Sequence, residues 1–233
     1  MIKADESSPR ASAQLARRPW DARLAQALVR PLLGTWVRPN HLTFLRLFVG
    51  LAGIVLIARG SYASTNVGMG LVVVANFLDH ADGALARMGN HASRFGHLLD
   101  LVVDALITVL LFVAMGVAAM SSPLGKWAVV LGLVAGVAVS AIFYMRMQIE
   151  DQRGKVGTKQ PQWGGFEIED VLYLLPLVSL FEVIAGFVLV AAIGASIFVL
   201  WVLRDYLSAC GNSFAASSRP EADRHTVDAE PWQ

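Results

Sequence analysis

The sequence predicts an all-α integral membrane protein with six transmembrane helices preceded by an interfacial amphipathic helix. Of its 233 residues, 55% are hydrophobic and only 16% are charged, whereas a soluble domain carries about 25% charged residues. The apolar residues are grouped in runs of about 20, which is the length that crosses the hydrocarbon core of a bilayer as a helix. No stretch between these runs is long enough to bury a separate core. Together with a single cysteine, Cys210, these features exclude a soluble enzyme, a secreted disulfide scaffold and a disordered protein.

The segment before the first apolar run divides into two parts. Residues 1–19 are polar and rich in Ala, Ser and Arg, so we expect a disordered cytoplasmic tail. Residues 20–36 predict a short helix whose two faces differ: Trp20, Leu24, Ala27 and Leu28 lie on one face, and Arg23, Gln26 and Arg30 on the other. Such a helix lies well in a membrane surface. An ordinary packed helix is the alternative.

The membrane domain is predicted to cover residues 20–206. The first four spans are expected at Leu42–Ile57, Val67–Ala86, Phe95–Ala118 and Trp127–Tyr144. The fifth and sixth spans share residues 166–203, with a turn near Ser179 to Glu182. Residues 207–233 are polar, and we expect a second disordered cytoplasmic tail there.

The positive charges predict the orientation of these spans. With six spans and the N-terminus inside, the inner segments hold 16 Lys and Arg residues, and the outer segments hold only Arg59 and Lys126. Arg46 lies within the first span. Because Lys and Arg accumulate on the cytoplasmic side of membrane proteins, both termini are predicted to be cytoplasmic.

Four aspartates stand near the predicted cytoplasmic ends of spans two and three. Asp79 and Asp82 are three residues apart, and Asp100 and Asp104 are four apart, so each pair projects from one face of its helix. Two antiparallel helices joined by a short turn bring the pairs together. Four facing carboxylates cannot all stay ionised unless cations neutralise them, and all-oxygen ligands suit Mg²⁺ or Mn²⁺. Since such ions in turn hold phosphates, the cluster predicts a phosphorylated ligand.

Small residues continue the two acidic faces. Gly83 and Ala86 follow the aspartates of span two at helical spacing, and Gly96 precedes Asp100 by four residues. Bare backbone at these positions leaves room for a diphosphate, and the Arg87 guanidinium is suited to grip phosphate oxygens. Alternatively, the glycines are helix-packing points and Arg87 is a basic residue at the cytoplasmic end of a span. Neither alternative explains the four aspartates.

Residues 79–104 read D-x2-D-G-x2-A-R-x8-G-x3-D-x3-D. This pattern resembles the signature of the CDP-alcohol phosphotransferase family, class I, at every fixed position. Pro39, Asn40, Thr43 and Arg46 are similar to the P-N-x-x-T-x-x-R start of the first helix in phosphatidyltransferase members. The resemblance covers about residues 20–206 and points to a bacterial phosphatidyltransferase.

The resemblance implies a reaction and a role for each matching residue. Asp79, Asp82 and Asp100 would be ligands of two Mg²⁺ or Mn²⁺ ions, and Asp104 the general base as well as a metal ligand. The residues expected to bind the CDP diphosphate are Gly83, Ala86, Arg87, Gly96, Asn40 and Thr43. The donor would be CDP-diacylglycerol, the acceptor an alcohol and the released product CMP, at the cytoplasmic face of a bacterial inner membrane. The resemblance also suggests a homodimer, and no nucleic acid is expected as a partner.

The acceptor alcohol is not encoded in the shared motif. Members that use phosphorylated acceptors commonly have three basic residues where this chain has Ala105, Gln148 and the acidic segment 167–170. Arg146 keeps the first Arg of their Y-x-R-A-R pattern and is assigned to the acceptor pocket. The resulting hypothesis is an acceptor less anionic than glycerol phosphate: zwitterionic, cationic or neutral. Alternatively, the acids at 167–170 only cap the N-terminus of span five.

Two other functions are compatible with parts of the pattern. An ion transporter would use the aspartates as a relay, but it requires acidic residues along a path through the membrane. A CDP-choline or CDP-ethanolamine transferase acting on diacylglycerol would share the motif, and only a test of the donor separates it from the phosphatidyltransferase.

Overall fold

The computed structural model describes residues 20–89, 93–153 and 173–217, and these residues form helices joined by turns. The helices are α1 (Trp20–Val29), α2 (Pro39–Ala58), α3 (Tyr62–Met88), α4 (Arg94–Ala118), α5 (Trp127–Arg153), α6 (Leu175–Leu180) and α7 (Ile184–Ser217). Two short 3-10 helices, Arg30–Leu32 and Ala119–Ser121, follow α1 and α4. The predicted tail at 1–19, the acidic segment 167–170 and the first part of span five lie outside the described residues.

Helices α2 to α5 coincide with the first four predicted spans. Among the described residues, four helices are long and apolar enough to cross a membrane: Pro39–Ala58, Arg94–Ser121, Trp127–Ile149 and Ile184–Leu207. Helix α3 is not among them, although its 27 residues extend about 40 Å at 1.5 Å per residue. Its asparagines and aspartates lower its hydropathy. The all-helical membrane architecture is therefore confirmed, and the count of six spans stays a prediction.

The turns between the helices alternate between the two ends of the bundle. A Cβ on Gly60, after α2, would lie 3.7 Å from Ala118 Cα, so the C-terminal ends of α2 and α4 are neighbours. Ser179 Oγ donates to Asn66 Oδ1 at 2.8 Å, which places the α6–α7 turn at that same end. This turn lies where the sequence predicts it, with Glu182 at a φ of 56°.

The helix pairs approach closely at glycines. A Cβ on Gly68 of α3 would stand 2.6 Å from the Gly53 carbonyl oxygen of α2. In the α4–α5 pair, a Cβ on Gly132 would stand 2.3 Å from the Phe112 carbonyl oxygen. Small residues allow such backbone contact between membrane helices. These crossings hold α2 against α3 and α4 against α5, and the acidic residues lie at the other end of this bundle from the Gly60 turn.

Helix α1 packs on α3, as the alternative of an ordinary packed helix predicts. Its Ala25 and Val29 are buried against Ala81 and Leu85 of α3, whereas Leu24 and Leu28 are exposed. The position of this helix at a membrane surface stays a prediction. Gln26, which the sequence places on the face opposite Leu24, is buried, because α1 packs on α3 along a third face, with Ala25 and Val29, that the two-face pattern did not reveal.

Helix α7 extends further than the sequence predicts. It continues into the predicted tail as far as Ser217, so disorder was the wrong expectation for residues 207–217. This part of the chain has no proline before Pro220 and contains several alanines, which favour helix. Residues 218–233 lie outside the described part of the chain.

Candidate active site and metal centre

The two aspartate pairs come together as their spacing predicts. Asp79, Asp82 and Asp100 each offer a carboxylate oxygen, and these three oxygens lie within 4.8 Å of one another. Asp82 is the most deeply placed, with 4% of its surface exposed. The i, i+3 spacing on α3 and the antiparallel course of α4 are sufficient to produce this arrangement.

Asp104 is linked to Asp79 and Asp100 through Arg46. Arg46 Nη2 donates to Asp104, while Arg46 Nη1 donates to Asp79 and, at 3.0 Å, to Asp100. The Asp104 side chain is 49% exposed, which is more than Asp79 or Asp100. It therefore stands at the open edge of the cluster.

Sequence reasoning missed Arg46, to which it gave no role. Arg46 is 3% exposed and comes from α2, the third helix of the site. The signal was available, because an arginine inside an apolar span is costly unless it faces acidic partners.

Thr43 lies one turn before Arg46 on the same helix. Its hydroxyl donates to Asp82 Oδ2 at 2.8 Å, and Thr43 is buried. The contact fixes the orientation of the Asp82 carboxylate, which supplies one of the three grouped oxygens. Thr43, predicted to lie on the nucleotide side, thus contacts the aspartate cluster directly.

The other predicted diphosphate residues border the cluster on α2, α3 and α4. The Arg87 guanidinium lies over Gly83, where a Cβ would stand 3.1 Å from Nη1. Asn40 Oδ1 lies 3.1 Å from the position of a Cβ on Gly96. Ala86 is half-buried on α3. A larger side chain at either glycine would displace a polar neighbour.

A cavity of about 660 Å³ opens beside the cluster. Asp79 and Asp104 form part of its wall, together with Ala105, Arg146 and Phe198. The Arg146 guanidinium lies over the Phe198 ring, 5.7 Å from its centre. Arg146, predicted for the acceptor pocket, is therefore in the same cavity as Asp104.

The donor set fits hard divalent cations. The cluster contains four carboxylates and one guanidinium, which pairs with three of them, so it keeps an excess of negative charge. Clustered carboxylate oxygens are the ligands that Mg²⁺ and Mn²⁺ prefer, and the 4.8 Å grouping of Asp79, Asp82 and Asp100 allows a shared ion.

The chain is similar to known proteins in both sequence and fold. The sequence profile of the CDP-alcohol phosphatidyltransferase family matches residues 36–204. Comparison with curated protein sequences gives no match. Among solved structures, the fold is similar to Mycobacterium tuberculosis phosphatidylinositol phosphate synthase (PgsA1) with CDP-DAG bound, with 21% identity and a TM-score of 0.60, over 79% of this chain and 94% of that chain. The same mycobacterial protein in complex with manganese and citrate is similar over 78% of this chain and 88% of that chain, with the same identity and TM-score.

The family match decides between the classes of protein considered above. It spans the aspartate motif and every described helix from α2 to the middle of α7, and the ion-transporter alternative is set aside. This chain belongs to the CDP-alcohol phosphatidyltransferase family, and it is a membrane-bound phosphotransferase enzyme.

Proposed function

We propose that this enzyme transfers a phosphatidyl group from CDP-diacylglycerol to an alcohol and releases CMP. The observation that carries the proposal is the aspartate cluster with Asp104 at its open edge, on the wall of a cavity. The donor is supported by the mycobacterial enzyme of similar fold, whose structure holds CDP-DAG. The reaction takes place at the cytoplasmic face of a bacterial inner membrane, an orientation supported by the distribution of Lys and Arg.

The cluster faces the diphosphate of the donor. Asp79, Asp82, Asp100 and Asp104 would hold two Mg²⁺ or Mn²⁺ ions, which would supply positive charge against the phosphate oxygens. Thr43 keeps Asp82 in place by its 2.8 Å hydrogen bond. The bare backbone at Gly83 and Gly96 leaves space for the diphosphate.

Residues on α2 and α3 complete the nucleotide side of the site. Ala86 continues the small face of α3. Arg87 donates to phosphate oxygens, and its side chain already lies along Gly83. Asn40, beside Gly96, has an amide that can hydrogen-bond to the nucleotide.

Asp104 performs the proton transfer. Its carboxylate takes the proton from the acceptor hydroxyl, whose oxygen attacks the lipid-side phosphorus of the donor. A new phosphorus–oxygen bond forms to the acceptor, the bond to the CMP phosphate oxygen breaks, and CMP leaves with that electron pair. The exposure of Asp104 toward the cavity suits this role.

The acceptor is an alcohol less anionic than glycerol phosphate. Asp79 and Asp104 line the acceptor cavity, and Ala105 contributes no charge to it. Arg146 does contribute a cation, but its guanidinium is stacked on Phe198, which satisfies part of its positive charge. A zwitterionic, cationic or neutral alcohol is therefore favoured in this cavity.

The test is CMP release by the purified enzyme in detergent with CDP-diacylglycerol and Mg²⁺ or Mn²⁺. The acceptor panel contains glycerol 3-phosphate, inositol, inositol phosphate, serine, ethanolamine and choline. Release that depends on an amino or uncharged alcohol supports the proposal. Turnover of glycerol 3-phosphate with none of the others would refute the acceptor class. Release only with CDP-choline or CDP-ethanolamine and diacylglycerol would replace the donor.

A further inference from the structure

The Arg46 side chain lies where a cation shared by the aspartates would lie. Its Nη1 donates to both Asp79 and Asp100, two of the three residues whose oxygens are grouped within 4.8 Å. Its Nη2 donates to Asp104. The guanidinium therefore neutralises the same carboxylates that the proposed metal ions require.

These contacts make simultaneous binding of Arg46 and metal unfavourable. A carboxylate oxygen shared with a divalent ion is less available to a guanidinium, and two cations on the same carboxylates repel each other. In this buried setting the repulsion is only weakly screened by water and salt. Arg46 is 3% exposed, so little water can reach its guanidinium.

The guanidinium is also incompletely satisfied. Its buried Nε has no hydrogen-bond partner among the residues that the structure describes, whereas buried polar groups in permanent networks are nearly always paired. This unpaired donor is unusual for an arginine with a purely structural role. It fits a side chain that occupies its position only until a metal ion binds.

We propose that Arg46 is an internal counter-cation of the aspartate cluster. Before metal binds, it holds the carboxylates of Asp79, Asp100 and Asp104 together; when Mg²⁺ or Mn²⁺ binds, the ion displaces it, so Arg46 weakens metal affinity while it pre-assembles the site. It is a positioning residue, and the inference rests on the metal-binding role proposed above.

The experiment measures Mn²⁺ binding to the purified protein without substrate, by the electron paramagnetic resonance signal of free Mn²⁺. Arg46→Gln removes the competing charge, and the Kd for Mn²⁺ should fall at least about tenfold, since one adjacent charge shifts cation binding at a carboxylate by about that factor or more. Arg59→Gln, at the other end of α2, is the matched control and should leave the Kd unchanged.

A second readout is thermal unfolding with and without metal. In EDTA, Arg46→Gln should unfold at a lower temperature than the wild type, because the carboxylates then repel one another, and Mn²⁺ should raise its midpoint by more than it raises that of the wild type. Arg46→Lys, which keeps the charge, should have a Kd between those of the wild type and Arg46→Gln. If Arg46→Gln does not fold, Arg46→Lys replaces it: a Kd below that of the wild type would support the inference, and an equal or higher Kd would overturn it.

The outcomes separate this inference from the proposed function. A wild-type protein that binds no Mn²⁺ would refute the metal role and the inference with it. A wild type that binds Mn²⁺, combined with an equal or weaker affinity in Arg46→Gln, would overturn the inference alone. That result would mean that Arg46 supports the site in the metal-bound state as well.

Discussion

Replacing Thr43 by Val tests whether Thr43 supports the proposed metal site through Asp82, without contacting the metal itself. The change removes the hydroxyl that donates to Asp82 at 2.8 Å and keeps the shape of the side chain. Thr43 and Asp82 are 3% and 4% exposed, so water cannot replace the lost donor. A hydrogen bond to a charged group contributes about 1.5–3 kcal/mol, and about 1.4 kcal/mol is a factor of ten. Affinity for Mn²⁺ should therefore fall about 10- to 100-fold, the range measured for groups that orient metal ligands.

The assay is a Mn²⁺ titration of the purified protein, followed by CMP release as a function of Mn²⁺ concentration. Thr43→Ser keeps the hydroxyl and should stay close to the wild type. Thr65→Val makes the same change at an equally buried position at the far end of α3 and should leave Mn²⁺ affinity unchanged. The reasoning would be refuted if Thr43→Val bound Mn²⁺ like the wild type, or if Thr43→Ser were as weak as Thr43→Val.

Three further substitutions test the base, a ligand and the helix crossing. Asp104→Asn should lower transfer at least about 100-fold and keep metal-dependent CDP-diacylglycerol binding. The control Asp205→Asn on α7 should leave both unchanged. Loss of both transfer and binding in Asp104→Asn would argue against a role as general base. Asp79→Asn should raise the Mn²⁺ concentration for half-maximal CMP release at least about tenfold, and an unchanged requirement would remove Asp79 from the ligands. Gly68→Ala, whose Cβ would stand 2.6 Å from a backbone oxygen of α2, should lose about 1–3 kcal/mol of stability. Gly70→Ala, whose Cβ would have no atom of the described part of the chain within 4 Å, should not lose stability. Equal thermal midpoints for the two variants would refute the tight crossing.

The limits of the helices were largely predictable because they depend on local properties of the chain. Hydrophobic length and the polar turns gave the first four spans and the turn before Ile184. Errors occurred where contacts between helices decide the outcome. Gln26 is buried because α1 packs on α3 along Ala25 and Val29, and a two-face pattern does not show which third face finds a neighbour.

The position of the cavity that we propose for the acceptor could be anticipated only in part. The resemblance placed Arg146 near the acceptor, and Arg146 does line the cavity with Asp104. Its stacking on Phe198 joins α5 to α7 across more than fifty residues of sequence. No spacing rule links these two positions, so the partial neutralisation of the arginine could be seen only in the packed structure.

By itself, the sequence determined the membrane class, the two aspartate pairs and the motif of the family. The physical reason is that helical period and hydrophobic length are local, so Asp79 and Asp82 share a face whatever the rest of the chain does. Only the tertiary structure decided that Arg46 and Thr43 reach the same carboxylates. That outcome depends on the crossing of α2 and α3 at their glycines, where backbone contact brings the polar face of one apolar span onto the acidic face of the next.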